Sequence, residues 1–377
     1  MSELKQPISH EFNQANGARF ADFAGWQMPT FYTSIIEEHK ACRENIALFD
    51  VSHMGRWLVS GNDSLKFLDH LVTNDISKLK EGRGIYAAML NPEGGIIDDV
   101  IVYKISPEEF LLVNNAGNHE IDTYWYEEQI ENFDVEMIDV TETWGQIAVQ
   151  GPKAKTSLEE LLGIGESLKY FGFGVVDYDD NDIIVAATGY TGEQGYELYG
   201  DPEALMEIWQ DLIDDYGAQA CGLGSRDLLR LEAGYCLHGN DIDTKTTPYE
   251  AGLDWVTKLD KQDFIGKAAA SRCDKKLVGL AFPDGLKLIP RAHTKILDQA
   301  GNEIGEVTSG NFSQMLNRAI ALAYIKPDYQ ESQVKIVIRN KEAEAQVGEP
   351  WFYRNIRGQE TNVILSEASG SHCLAQS

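Results

Sequence analysis

Apolar residues recur along the chain at two spacings, which predict strands and helices in different zones. Between about residues 51 and 140, alternating runs predict strands at Arg56–Ser60, Tyr86–Leu90, Ile96–Ile105 and Glu109–Asn115. Helical spacing in the same zone predicts helices at Ser64–Thr73 and Asn118–Asn132. The turn residues from Asn91 to Gly95 separate two of the strands and predict a β-hairpin. This zone is therefore of the α+β type.

Two further zones follow along the chain. From about residue 141 to 273, the clearest helix begins after Asp201, has Pro202 at its first position and ends before Gly217. From about residue 276 to 357, Gly, Pro and Asn turns separate strands predicted at Lys276–Phe282, Gly305–Thr308, Ala319–Ile325 and Val334–Arg339. The fold class is therefore α+β with an all-β C-terminal domain, a small barrel or sandwich. The polar tail from Gly358 onward is expected to be loose.

Composition narrows the classes of function. Hydrophobic residues make up 43% of the 377 positions and charged residues 24%, as in folded proteins, and the length suggests two or three domains. The formal net charge of −28 disfavours nucleic acid and anionic membranes as partners, because both present phosphate charges. No apolar stretch approaches the roughly 20 residues that span a bilayer, and the N-terminus lacks a hydrophobic signal. The five cysteines lack a C-x-x-C pair, so we expect reduced thiols and a cytoplasmic location.

Common cofactor motifs are absent from the sequence. Asp227 stands where a dinucleotide fingerprint beginning at Gly222 needs its third glycine. Gly266-Lys267 lacks the earlier glycine of a phosphate loop. The eight histidines are dispersed, and we expect no metal site.

Two adjacent carboxylates, Asp98 and Asp99, lie in the predicted strand that begins at Ile96. Side chains alternate across a strand, so the two carboxylates point to opposite faces. Both faces are otherwise apolar, so at least one carboxylate enters an apolar environment, where it must be paired or have a raised pKa. On local pattern alone, the favoured interpretation is a structural aspartate that binds backbone amides near a turn.

Three other segments offer candidate chemistry. The glycines of Thr188–Glu197 allow close approach of a ligand, and its tyrosines and Glu197 suit a flat nitrogen heterocycle. The alternative is a Gly-rich hairpin with an exposed glutamate. Arg226 and Arg230 share a helix face, as a ligand-binding pair or as a surface ladder with Asp227 and Glu232. A single histidine beside a strand, such as His53, is more often structural than catalytic.

In their order and spacing, these segments together resemble the aminomethyltransferase (T-protein) family of the glycine cleavage system. The resemblance runs from about Phe20 to Tyr353. Its landmarks are Asp22–Pro29, Phe49–Gly55, Thr73–Asp75, Gly94–Asp99, Val149–Pro152, Thr188–Glu193, Gly222–Asp227, Arg230–Gly234, Asp263–Lys267 and Thr308–Gly310.

The resemblance implies three domains arranged like a clover leaf around a central folate site. The expected boundaries are residues 1–50 and 141–275 for a discontinuous first domain, 51–140 for an inserted α+β domain, 276–357 for the barrel-like domain and 358–377 for the loose tail. It also implies a reaction in which tetrahydrofolate, as co-substrate, takes a methylene group from the aminomethyl-lipoyl arm of H-protein. Ammonia, 5,10-methylenetetrahydrofolate and dihydrolipoyl H-protein are the expected products.

Residue roles follow from the same resemblance. Asp99 matches the essential carboxylate of the family, Glu197 the residue that binds the pterin N–H groups, and Arg226 a folate-contacting arginine. The remaining folate-binding positions are matched by Tyr86, Asn115, Tyr190, Met54 and Tyr353. The sequence departs from the family at His238, where many members have tyrosine, and this change is expected to alter the polarity near the site.

Two alternatives remain within the same fold. A folate-dependent demethylase would use the same cavity, but such relatives generally lose the Ile-Ile-Asp-Asp and Ser-His-Met segments that this chain keeps. A non-catalytic folate-binding protein would carry a Lys-Gly-Cys motif, whereas Cys236 here follows Gly234 and Tyr235.

Overall fold

The structure is a computed structural model that describes residues 4–164, 168–339, 341–354 and 361–362. Its α-helices are His10–Ala15, Ile35–Glu44, Ser64–Leu71, His119–Gln129, Ala154–Leu162, Pro202–Asp214 and Leu223–Ala233. Within these described ranges, no helix is long and apolar enough to cross a membrane.

One mixed sheet is built from two distant parts of the chain. Its six strands, in spatial order, are Phe173–Tyr178, Asn181–Ala186, Gly195–Gly200, Gly145–Gln150, Ala47–Asp50 and Gln219–Ala220. Ala47–Asp50 precedes residue 51 yet pairs antiparallel with Gly145–Gln150. The helix Pro202–Asp214 buries its apolar face, including Trp209, against this sheet. Asp201 starts that helix as predicted, because its side chain accepts hydrogen bonds from the amides of Glu203 and Ala204.

A second sheet lies within the residues between these two parts. Its strands, in spatial order, are Arg83–Leu90, Ile96–Ser106, Glu109–Asn114, Gly55–Ser60 and Glu136–Asp139, and all its pairs are antiparallel. The helix predicted at Asn118–Asn132 is shorter, since 3-10 turns replace its two ends. This arrangement supports an insertion near residues 51–140, although the exact domain boundaries stay a prediction.

The C-terminal strands close into a barrel. In order around it, they are Lys276–Ala281, Arg318–Ile325, Glu303–Ser313, Lys295–Leu297, Gln333–Ile338 and Lys341–Gly348, and the last pairs with the first. The barrel interior is filled by apolar side chains, most of them aliphatic and on these strands. The predicted α+β class with a barrel-like C-terminal domain is thereby confirmed.

Smaller features complete the fold. Arg19–Phe23 and Trp26–Phe31 form a separate hairpin. The tail predicted to be loose, residues 358–377, lies outside the described residues except for 361–362, which pair with Tyr353–Arg354.

The state of the cysteines departs in part from the sequence prediction. Cys42, Cys221 and Cys236 are free thiols. Cys273 is disulfide-bonded, so the expectation of reduced thiols is wrong at that residue.

The helix Leu223–Ala233 joins the first sheet to the barrel. Arg230 is buried on this helix and makes an ion pair of 2.6 Å with Asp241 and a hydrogen bond of 2.9 Å to the hydroxyl of Ser309 in the barrel. Burial is the largest single influence on Arg230 and opposes its charge, but the attractions of Asp241, Tyr190 and Asp227 together outweigh it and raise the pKa of Arg230. Gly234 ends the helix at φ +71°, and a Cβ there would collide with the carbonyl of Pro350. The polar contacts of Arg230 and the close backbone approach at Gly234 therefore hold the barrel domain against the rest of the protein.

Candidate functional site

A cavity of about 930 Å³ lies where the two large sheets meet the barrel domain. The five-stranded sheet and the segment after it supply Tyr86, Asp99 and Asn115, and the six-stranded sheet and its loops supply Thr188, Tyr190 and Glu197. Other parts of the wall come from the helix residue Arg226, from the loops around residues 234–238 and 249–255, and from residues 276–277 and 349–351. The volume is in the range of sites that bind a small molecule or cofactor.

The strand Ile96–Ser106 carries the paired carboxylates to one wall of this cavity. Its first residue is fixed from outside the sheet, since the Ile96 amide donates to the carbonyls of Asp243 and Thr246. Asp99 lines the cavity and is half-buried, whereas Asp98 is fully buried behind it. Asp98 accepts from the backbone amide of Asn115 at 2.9 Å. The local sequence pattern suggested a structural aspartate, and Asp98 fits that description. Asp99 is the carboxylate that lines the cavity.

Two side chains hold Asp99 in place. The hydroxyl of Tyr86 donates to Oδ2 at 2.9 Å, and the amide of Asn115 donates to Oδ1 at 2.9 Å. Burial, followed by the negative charge of Asp98, raises the pKa of Asp99 to about 6, while His238 and these two hydrogen bonds act in the opposite direction. A carboxylate with a pKa near neutrality can accept and release a proton under physiological conditions.

Glu197 stands on the strand Gly195–Gly200 and presents a second carboxylate to the cavity. Its Oε2 accepts from the hydroxyl of Thr188 at 2.6 Å and from that of Tyr199 at 3.4 Å. Among the described residues, Oε1 has no hydrogen-bond donor, so this oxygen is available to a ligand. The alternative of an exposed glutamate on a Gly-rich hairpin is wrong, because Glu197 is only 6% exposed.

Arg226 places an unsatisfied positive group in the same wall. Its guanidinium lies 4.9 Å from the centre of the Tyr190 ring, and its Nη1 is enclosed without a hydrogen-bond partner among the described residues. Burial lowers the pKa of Arg226, and Glu197 opposes that shift. An enclosed N–H without a partner is costly, so the site is suited to an acceptor atom from a ligand. The alternative of a surface ion ladder is also wrong, because Arg230 and Glu232 are buried.

Seven of the residues predicted for the site line this cavity: Met54, Tyr86, Asp99, Asn115, Tyr190, Glu197 and Arg226. Tyr353 is not among the lining residues; its ring is buried and lies 4.2 Å from the guanidinium of Arg43. Trp351, two residues earlier, lines the cavity instead. The structure thus brings together all but one of the predicted positions, while the roles given to them stay predictions.

Other lining residues were not assigned a role from the sequence. His53 is buried, and its Nδ1 has no partner in the described part of the chain; burial, then Arg226 and Arg56, lower its pKa to about 3, so it is neutral. His238 contacts the carbonyl of Ile96 through Nε2 at 3.2 Å, and the amide of Asn118 through Nδ1 at 2.9 Å. A ring N–H bound to a carbonyl makes Nε2 the donor and Nδ1 the acceptor. The sequence had favoured a structural role for His53 and had pointed to His238 only through the departure from the family at that position.

The described residues contain no group of three or more His, Cys, Asp or Glu side chains that could hold a metal ion.

Comparison with known proteins defines the class of the molecule first. Residues 9–261 match the family model of the GCVT N-terminal domain, and residues 275–354 match that of the glycine cleavage T-protein C-terminal barrel domain. The chain belongs to the glycine cleavage T-protein family.

Individual relatives make the assignment more specific. The chain is 44% identical over 348 residues to an aminomethyltransferase of Thermotoga maritima, a match that covers 90% of this chain and 94% of the relative. It is 42% identical over 349 residues to one of Halothermothrix orenii, covering 90% and 97%. The glycine cleavage system aminomethyltransferase T of Bartonella henselae superposes with a TM-score of 0.85 at 32% identity, covering 91% and 96%. The predicted enzyme class, an aminomethyltransferase, is confirmed, and T-protein function in glycine cleavage is supported.

Proposed function

We propose that Asp99 is the reactive carboxylate in the transfer of a methylene group from an aminomethyl-lipoyl arm to tetrahydrofolate. The observation that carries this proposal is a carboxylate of raised pKa, held by Tyr86 and Asn115, in a cavity that also contains Glu197 and Arg226. The cavity wall therefore contains a group that can take up and release a proton. It also contains a second carboxylate and a cation, both of which can bind a ligand.

Glu197 and Arg226 account for recognition in this proposal. A pterin ring presents its amino group and a ring N–H side by side, and a carboxylate is the natural acceptor for such a pair of donors. The available Oε1 of Glu197 suits this contact. The unpartnered Nη1 of Arg226 suits a pterin or substrate acceptor, and the rings of Tyr190 and Tyr235, whose centres are 5.7 Å apart, form an aromatic wall nearby.

The chemical balance of the transfer is simple. The methylene carbon loses its bonds to the lipoyl sulfur and to the amino nitrogen, and gains bonds to N5 and N10 of the folate. The two protons released from these folate nitrogens end on the departing ammonia and on the lipoyl thiol. Asp99, with a pKa of about 6, can take up a proton from the attacking nitrogen and release it again.

The carrier of the aminomethyl group also belongs to the proposal. The cavity wall includes aromatic side chains that reach the surface, with Phe23 39% and Trp255 56% exposed. Partly exposed aromatic side chains in a cavity wall suit contact with a long, partly apolar arm such as lipoyl-lysine. We therefore propose lipoylated H-protein as the partner, tetrahydrofolate as the co-substrate and, as for the sequence prediction, a cytoplasmic location.

Asp99→Asn tests the proposed role of the carboxylate. The change keeps the size of the side chain and removes its ability to hold a proton, so single-turnover ammonia release from aminomethyl-lipoyl H-protein should slow by about 10²- to 10⁴-fold. The dissociation constant for folate should change far less, because the charge matters most as the transition state develops.

The control for this test should not be Asp98→Asn alone, because Asp98 is bonded to the same Asn115 that holds Asp99. Asp211→Asn is a better control. Asp211 lies on the helix Pro202–Asp214, accepts a hydrogen bond from the hydroxyl of Tyr178, and is not among the cavity-lining residues. Ammonia release that is equally fast in Asp99→Asn and Asp211→Asn would refute the role of Asp99.

A further inference from the structure

A third carboxyl group lies close to Asp98 and Asp99, the two carboxylates of the strand Ile96–Ser106. Asp122, on the helix His119–Gln129, is fully buried, and its Oδ2 accepts from the side-chain amide of Asn114 at 2.6 Å. Its Oδ1 is enclosed and finds no donor among the described residues. An ionised carboxylate with one oxygen unsatisfied in a dry interior is strongly unfavourable, whereas a protonated oxygen can itself donate.

The acceptor for such a proton is Asp98. The carboxyl groups of Asp122 and Asp98 share a side-chain hydrogen bond, and two carboxyl oxygens can form one only if a proton lies between them. Asp98 also accepts hydrogen bonds from neutral amides: the backbone and side chain of Asn115 at 2.9 and 2.8 Å, and the side chain of Asn118 at 2.6 Å. These donors stabilise negative charge on Asp98, which assigns the shared proton to Asp122.

Asp98 is in turn connected to the reactive carboxylate. The side-chain nitrogen of Asn115 contacts Oδ1 of Asp98 at 2.8 Å and Oδ1 of Asp99 at 2.9 Å. The amide of Asn115 is therefore oriented by both carboxylates. If Asp98 were to take the proton, it would lose part of its strength as an acceptor, and the orientation of Asn115 toward Asp99 would weaken.

We propose that Asp122 is a positioning residue that remains protonated at neutral pH and donates to Asp98, which keeps Asp98 ionised and Asn115 aligned on Asp99. This inference rests on the proposed role of Asp99. The raised pKa of Asp122, caused by burial first and by the negative charge of Asp98 second, agrees with it. Among the described residues, the negative charge of Asp99 also raises the pKa of Asp122, while His238 acts on Asp99. Burial together with Asp122 and Asp98 keeps the pKa of Tyr126 above its usual value.

Infrared difference spectroscopy of the free protein tests the protonation state directly. At a pH well above the pKa of Asp99, the wild-type spectrum minus that of Asp122→Asn should contain the C=O stretching band of a protonated carboxylic acid. This measurement needs neither folate nor H-protein. Absence of the band from the difference spectrum would overturn the proposal whatever the reaction proves to be.

Activity then tests the positioning role. In Asp122→Asn, the amide nitrogen can donate to Asp98 permanently and the amide oxygen can still accept from Asn114, so the rate and the acid limb of the pH profile should stay close to wild type. Asp122→Ala removes the donor to a charged group, and kcat should fall by about tenfold to a hundredfold with a displaced acid limb. A rate in Asp122→Asn as low as in Asp122→Ala, or an unmoved acid limb in Asp122→Ala, would overturn the proposal. If ammonia release were slow in Asp122→Ala but fast in Asp99→Asn, the result would count against the proposed function of Asp99 and not against the shared proton of Asp122 and Asp98.

Discussion

The hydrogen bond from Tyr86 to Asp99 allows the pH dependence of the reaction to be predicted. Tyr86→Phe removes the hydroxyl that donates to Oδ2 of Asp99 at 2.9 Å, and it keeps the ring that stacks on Trp255 with a centroid distance of 6.0 Å. The hydroxyl stabilises the ionised form of Asp99 and lowers its pKa against the effect of burial. Its removal should therefore raise that pKa.

The size of the shift follows from the strength of the bond. A hydrogen bond to a charged group contributes about 1.5–3 kcal/mol, and one pKa unit corresponds to about 1.4 kcal/mol. The pKa of Asp99, about 6 in the wild type, should rise by about one to two units in the variant. Because the carboxylate is the active form, the rate at neutral pH should fall, while the rate at high pH should approach that of the wild type.

The assay is the pH dependence of kcat/KM for ammonia release, whose acid limb reports the free enzyme. Tyr190→Phe is the matched control, since the hydroxyl of Tyr190 donates to the carbonyl of Cys236 rather than to Asp99. Its acid limb should stay in place. An acid limb that does not move in Tyr86→Phe, or one that moves to lower pH, would refute the reasoning.

Three further outcomes are expected. Glu197→Gln puts a donor against the donors of the pterin, a mismatch of roughly 1–3 kcal/mol that should weaken folate binding about 5- to 150-fold in calorimetry; binding at wild-type strength would remove Glu197 from the site. Asp99→Asn should be more stable than the wild type at pH 8 by at most about 3 kcal/mol. In the wild type, folding raises the pKa of Asp99 from 3.8 to about 6, so ionisation of this carboxyl destabilises the folded state increasingly as the pH rises through that range. Urea unfolding should show the difference vanish below pH 4, and equal stability at both pH values would contradict the raised pKa. Arg230→Met leaves the buried carboxylate of Asp241 without its ion-pair partner and should cost about 3–5 kcal/mol in the same assay; a loss below about 1 kcal/mol would show that this buried ion pair contributes little to stability.

Elements with strong local signals were predictable from the sequence. The helix Pro202–Asp214 has its capping residue, its proline and its apolar stripe within a single segment, and the structure ends it only two residues before the predicted position. The barrel strand Lys341–Gly348 was missed, because Ala343 and Ala345 face inward and alanine carries little strand preference. Such a strand forms through its pairing with distant partners, which local patterns do not contain.

The same distinction holds for the site. Period-two alternation along the strand is enough to place Asp98 and Asp99 on opposite faces, because it depends only on backbone geometry. Asp122 gave no such signal: on a helix it resembles any surface acid, and only its burial beside Asp98 changes its chemistry. His53 is a similar case, since its neutrality results from its burial and from Arg226 and Arg56, which are brought to it by folding.

The anchoring of the strand that carries Asp99 has a consequence for how the protein is made. The side chain of Asn91, in the turn before this strand, donates to the carbonyl of Thr244, a residue 153 positions later, and the Ile96 amide depends on Asp243 and Thr246. A growing chain emerges from the ribosome N-terminal end first, and its domains fold as they appear. The five-stranded sheet can therefore assemble during synthesis while the beginning of the strand Ile96–Ser106 is still without support. The part of the cavity wall that carries Asp99 acquires its final geometry only after the ribosome has translated past position 246. A translation product truncated before that position would therefore contain Asp99 without a competent site.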